Sequence, residues 1–177
     1  MALEQDPGGY VTTPDGAIHY LKTGSGYPLL LFHPLNTSTW VWHMVTSSLA
    51  RYFTCYALDM LGHGKSDKPS RDFTLPDFST AIDNAMEQLG IPSAHVMGNS
   101  VGALLAVELA ASYPDRVQRL VLIGAPVWDP RDAHQILDGD TNYDDSGYPM
   151  PRSLQELKAD GQFVNPCPEW VDKYNEL

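Results

Sequence analysis

Gly98-Asn99-Ser100-Val101-Gly102 is the stretch whose residue types and spacing can do chemistry. It is a G-x-S-x-G pattern set between a short apolar run, residues 94–97, and a helix-like run, residues 101–113. That placement predicts a strand, a very tight turn and a helix. Such a turn holds its serine in a strained backbone conformation that lifts the hydroxyl clear of the sheet. Glycines two residues to either side, lacking Cβ, let neighbouring backbone approach. The helix that begins behind the serine favours negative charge beside it. The chemistry this supports is nucleophilic attack by the Ser100 hydroxyl. The plainer reading is a Gly/Ser turn joining a strand to a helix.

A serine hydroxyl attacks poorly unless a base takes its proton. His19, His33, His43, His63 and His95 all precede the serine, and only His134 follows it. His134 lies in an acidic, Pro- and Gly-rich stretch and reads as a solvated loop side chain. No general base is identified in the sequence, and this gap shapes every functional expectation.

The elements that must position Ser100 alternate between strand and helix signals over the first 125 residues, which implies an α/β fold with a largely parallel sheet. Residues 10–13 and 17–23 read as strands around the turn Pro14-Asp15-Gly16. Strands follow at 28–32 and 53–58, with an amphipathic segment near 42–50 between them. A helix is expected at 75–89, stopped by Gly90 with Pro92 beyond it. Residues 94–97 lead into the serine turn, 101–113 form its helix, and 117–123 form the last strand. From Pro126 the character changes to Asp, Gly, Pro and Tyr without sustained periodicity. Two regions are therefore expected: 1–125, a core, and 126–177, the beginning of a cap or lid, with short helices at 154–160 and 168–174.

Acidic side chains outnumber basic ones by 22 to 11, a formal net charge of −11 that argues against nucleic acid and anionic membranes as partners. The nine N-terminal residues are polar, and no apolar run approaches a membrane span, so a cytoplasmic protein is expected. Cys55, inside an apolar run, reads as a small core residue. Gly64-Lys65-Ser66 mimics the end of a phosphate-binding loop, but Asp59 stands where its first glycine would be. Asp138, Asp140, Asp144 and Asp145 lack the Gly and Glu offsets of a calcium loop and read as a solvated acidic loop. No Cys/His cluster has metal spacing, and neither metal nor cofactor is expected.

Three motifs in order make the chain resemble the α/β-hydrolase family over residues 10–128: Leu30-Leu31-Phe32-His33-Pro34-Leu35 with Trp42 downstream, Asp59 to Pro69 with its D-x-x-G-x-G-x-S-D pattern, and the serine turn followed by Tyr113-Pro114-Asp115-Arg116-Val117. The resemblance implies Ser100 as nucleophile, with the backbone N–H groups of Leu35 and Val101 stabilising the oxyanion. Pro34 stands where the family usually has Gly; it removes only its own N–H and leaves the donor at Leu35. A haloalkane dehalogenase would carry Asp at the position of Ser100, whereas Gly-Asn-Ser is similar to C–C bond hydrolases and carboxylesterases. Asp129, behind the strand at 117–123, is the candidate acid, and Trp128 and Tyr148 are candidate pocket residues in the cap.

The family's histidine follows the last strand, and here no such strand or histidine is found. Completing the sheet takes roughly 80 to 100 further residues at the size of a βαβ unit. The strand at 117–123 is then expected to be an exposed parallel edge. The chain reads as the N-terminal part of a serine hydrolase of small-molecule esters or related carbonyl compounds, truncated or split, with a second chain as a source of the C-terminal strands and the catalytic histidine. Alone it is expected to be nearly inactive. The alternative is a hydrolase-fold binding or scaffold protein that kept the turn and lost the base.

Overall fold

The computed structural model describes residues 6–126. Six strands form one sheet: β1 (Asp6–Thr13), β2 (Gly16–Thr23), β3 (Tyr27–Phe32), β4 (Phe53–Leu58), β5 (Ala94–Asn99) and β6 (Val117–Ile123). Their order is β1-β2-β4-β3-β5-β6. The β1–β2 hairpin is antiparallel and adds antiparallel to β4, while β4, β3, β5 and β6 run parallel. The helices are α1 (His43–Leu49), entered through a 3-10 turn at Thr39–Trp42, α2 (Leu75–Gln88) and α3 (Val101–Ser112).

Period-two alternation divides the sheet between two cores. Leu30, Phe32, Tyr56, Leu58, Ala94 and Val96 pack with Ala81, Ile82, Ala85 and Met86 of α2 and Leu105, Ala106 and Leu109 of α3. Leu29, Leu31, Cys55 and Ala57 point to the other face, against Trp42 and Ala50. Buried strands covered on both faces read as unbroken apolar runs, which is why 28–32 and 53–58 are legible without alternation. Cys55 is 1% exposed, and burial pushes its thiol up to about 11, so it behaves as the small core residue expected.

Two boundaries differ from the sequence reading by more than one residue. β5 continues through Gly98 and Asn99, which pair with Leu122 and Ile123, so the ladder carries the chain to the residue before the serine. β1 starts four residues earlier than expected, across a bulge between Asp6 and Gly9. The amphipathic segment near 42–50 is a 3-10 turn followed by seven α-helical residues. β6 pairs only with β5 among the described residues, and Leu120, Val121, Leu122 and Ile123 are 38–44% exposed.

Candidate active site

Ser100 stands between β5 and α3 at φ 55°, ψ −122°, one of two non-glycine residues with positive φ among those described. An L residue at that φ carries strain of order 1–3 kcal/mol, sustained only where the surroundings over-determine the backbone. They do so here. The Ser100 N–H donates to Ile123 O at 2.9 Å, and its carbonyl accepts from the Ala103 N–H at 2.8 Å as α3 begins. A Cβ on Gly98 would run into the Gly102 carbonyl, and one on Gly102 into the Phe32 and His33 carbonyls. The two glycines thus admit a three-way backbone contact between β5, α3 and the end of β3.

The loop after β3 passes beside this turn. His33 is fully buried, and its Nε2 accepts from the Met60 N–H at 3.0 Å. Its Nδ1 lies 2.7 Å from the Pro34 carbonyl oxygen, which also accepts from Thr37 Oγ1 at 2.7 Å. Burial, offset in part by the Pro34 contact, lowers His33 to about 4, so the ring is neutral at pH 7. Leu35, next in line, is 50% exposed, and Asn36 follows at φ 54°.

The Gly-rich loop, residues 59–67, is tied to both β2 and the segment after β3 by its first residue. Asp59 is 1% exposed; its Oδ1 accepts from the Thr39 N–H at 2.6 Å and its Oδ2 from the Lys65 N–H at 3.1 Å. His19 Nδ1 sits 2.8 Å from the same Oδ2. Ser66 Oγ donates to Asp59 O and accepts from the His19 N–H, while Asp67 Oδ2 accepts from the Ala17 N–H. Gly62 and Gly64 take φ of 84° and 54°, and a Cβ on Gly64 would strike the Asp59 carboxyl. Each fixed letter of D-x-x-G-x-G-x-S-D therefore answers a backbone or hydrogen-bond requirement.

The histidines of the described residues have partners other than Ser100. His19 pairs with Asp59 and His33 with Met60 and Pro34. His43 Nδ1 lies against Trp40 O, and its ring stacks on Trp40. His63 sits 5.3 Å from the His33 ring, its pKa lowered by burial. His95 is the second residue of β5, packed against Tyr27 and Phe53, about 16 Å of strand before Ser100. The sequence reading places these five histidines before the serine and assigns none of them as its base. It did not find the His19–Asp59 pair or the role of Thr37, since nothing in their spacing marks them. Asp129, His134, Trp128 and Tyr148 lie outside the described residues. No group of three or more His, Cys, Asp or Glu is placed to hold a metal among the described residues.

A strained serine between a parallel strand and a helix, with glycines at both shoulders, is the strand–turn–helix arrangement of a G-x-S-x-G motif in an α/β-hydrolase fold. The chain belongs to the alpha/beta hydrolase fold family, whose model matches residues 27–174. N-formylmaleamate deformylase of Pseudomonas putida is 34% identical over 125 residues, 70% of this chain and 47% of that protein. Soluble epoxide hydrolase of a Corynebacterium is 35% identical over 106 residues, 60% of this chain and 37% of the relative. Naproxen esterase of Bacillus subtilis superposes with a TM-score of 0.79 over 98% of this chain and 61% of its own; at 20% identity, that is a likeness of fold. The chain spans less than half the length of these curated relatives. The resemblance read from three motifs is thereby established at the level of family and fold.

Proposed function

We propose that this chain carries the nucleophile and oxyanion side of a serine hydrolase acting on ester or related carbonyl bonds of a small molecule, C–C bonds included. The observation that carries it is the strained Ser100 at φ 55°, held by the Gly98–Gly102–Phe32 backbone contact. Ser100 Oγ attacks the carbonyl carbon, its proton passes to a base, and the carbonyl oxygen becomes an oxyanion facing the N–H groups of Leu35 and Val101. Collapse of that intermediate breaks the bond to the leaving group and leaves an acyl-serine, which water hydrolyses. The base is supplied from outside residues 6–126, by the rest of a longer chain or by a second chain. Asp129 is the candidate acid and Trp128 and Tyr148 are the candidate substrate-binding residues, all three outside the described residues.

The placement of the described imidazoles favours a second reading, a hydrolase-fold binding protein without turnover. One experiment separates the two. The chain is treated with a fluorophosphonate and weighed by intact mass, with and without excess imidazole as an external base, beside Ser100→Ala. The hydrolase reading expects an adduct that grows with imidazole and disappears in Ser100→Ala, with ester turnover near background when no base is added. A folded chain that gains no adduct under either condition is a binding module.

A further inference from the structure

The Pro34 carbonyl collects two donors, and the chain of bonds behind it fixes which proton goes where. The Met60 backbone N–H can only donate, so His33 Nε2 holds the lone pair and the ring proton resides on Nδ1. Nδ1 therefore donates to Pro34 O at 2.7 Å, and the Thr37 hydroxyl donates to the same oxygen at 2.7 Å. Pro34 C=O and Leu35 N–H are the two ends of one planar trans peptide. Gripping the oxygen aims the N–H the opposite way. Two donors on the oxygen also polarise the amide, which strengthens its N–H as a donor in turn.

We propose that Thr37 and His33 are positioning residues that orient and polarise the 34–35 peptide, so that the Leu35 N–H is set as an oxyanion donor before substrate arrives. The Leu35 side chain is 50% exposed, so packing of that side chain does not set the peptide plane. The loop's root is fixed, since the Phe32 and His33 carbonyls lie against Gly102 of the elbow. Its exit is fixed too, by Asn36 at positive φ and by the Thr39 N–H on buried Asp59. Between root and exit the two donors hold the 34–35 peptide by its oxygen. Preorganised donors of this kind act because they need no reorientation when charge develops. The catalytic consequence rests on the serine-hydrolase reading above; the positioning does not.

The test uses the 177-residue chain as wild type, Thr37→Val, Thr37→Ser and His33→Gln. It reads the Leu35 amide proton resonance and the rate of Ser100 adduct formation with a fluorophosphonate in excess imidazole. Thr37→Val is expected to move the Leu35 resonance upfield and slow adduct formation about tenfold, part of the loss that follows complete removal of an oxyanion donor. Thr37→Ser restores both, and the amides of β3 and β5 report an unchanged fold throughout. An unchanged Leu35 amide in both Thr37→Val and His33→Gln overturns the proposal whatever the adduct does. A Leu35 amide that moves as expected, in a chain whose Ser100 forms no adduct, upholds the positioning and sinks the hydrolase reading instead.

Discussion

Ser100 and His33 each hold a state that free residues avoid, and each makes a measurable claim. The positive φ of Ser100 is a conformation glycine adopts freely. Ser100→Gly should therefore raise unfolding free energy by about 1 kcal/mol in urea titration while removing all fluorophosphonate adduct. A variant that loses stability would show that the serine is not strained. His33 is held neutral by burial, at about 4 against an ordinary 6.5. The unfolded chain takes up a proton that the folded one refuses, so the contribution of His33 is complete above pH 6.5 and is lost as pH falls toward 4. Linkage sets its size at about 3 kcal/mol. His33→Gln, which can still accept from Met60, should flatten the fall in stability across that interval. Equal slopes for the two proteins would place the acid sensitivity elsewhere.

The elements owe their ends to local chemistry that is written in the sequence. α2 begins at Thr74, whose N–H and hydroxyl both donate to Asp77 Oδ2, at 2.8 and 2.6 Å. Arg71 Nη2 donates to Oδ1 of the same carboxylate, and these three bonds, Arg71 foremost, hold Asp77 well below the usual carboxylate range. The helix ends in Gly90 at φ 67°, with Pro92 beyond. Thr74→Ala should cost about 1 kcal/mol, read from the midpoint of thermal or urea unfolding, with the α3 amides unaffected. No change would mean that Asp77 and Arg71 alone secure the helix start. Two strands are recovered residue for residue, 53–58 and 117–123; the first stops at Asp59, and the second carries the apolar run 120–123 up to Gly124. The end of β5 was misplaced at residue 97 because Gly98 and Asn99 have low strand propensity; pairing with Leu122 and Ile123 overrides it.

On the scale of the molecule, β6 is an edge of the sheet among the described residues, and its Leu120, Val121, Leu122 and Ile123 are all more than a third exposed. A groove of about 440 Å³ lies beside it, lined by Tyr27, Leu29, Phe53, His95, Met97 and Val121 at the start of the parallel strands, away from the elbow at their ends. An unpaired apolar edge is a template for another strand. The chain should therefore self-associate with rising concentration in sedimentation equilibrium, and Leu122→Lys should weaken that association about tenfold or more, the effect of about 1.4 kcal/mol. A wild-type chain that stays monomeric over the whole range would show the edge to be covered.

The sequence by itself determined the elements, their order, the family, and Ser100 as the residue around which they turn, because these depend on neighbours: periodicity, glycine spacing and capping residues a few positions apart. Only the tertiary structure decided how residues distant in the chain use one another. Asp59 joins His19, Thr39 and Lys65; His33 reaches Met60; Gly102 is a glycine because the Phe32 and His33 carbonyls lie where its side chain would be. All but the Asp59–Lys65 contact span 20 to 70 residues and join groups of unremarkable type, so no local pattern announces them. They arise when the sheet brings β2, β3, β4 and β5 side by side and leaves each buried donor and acceptor to find a partner.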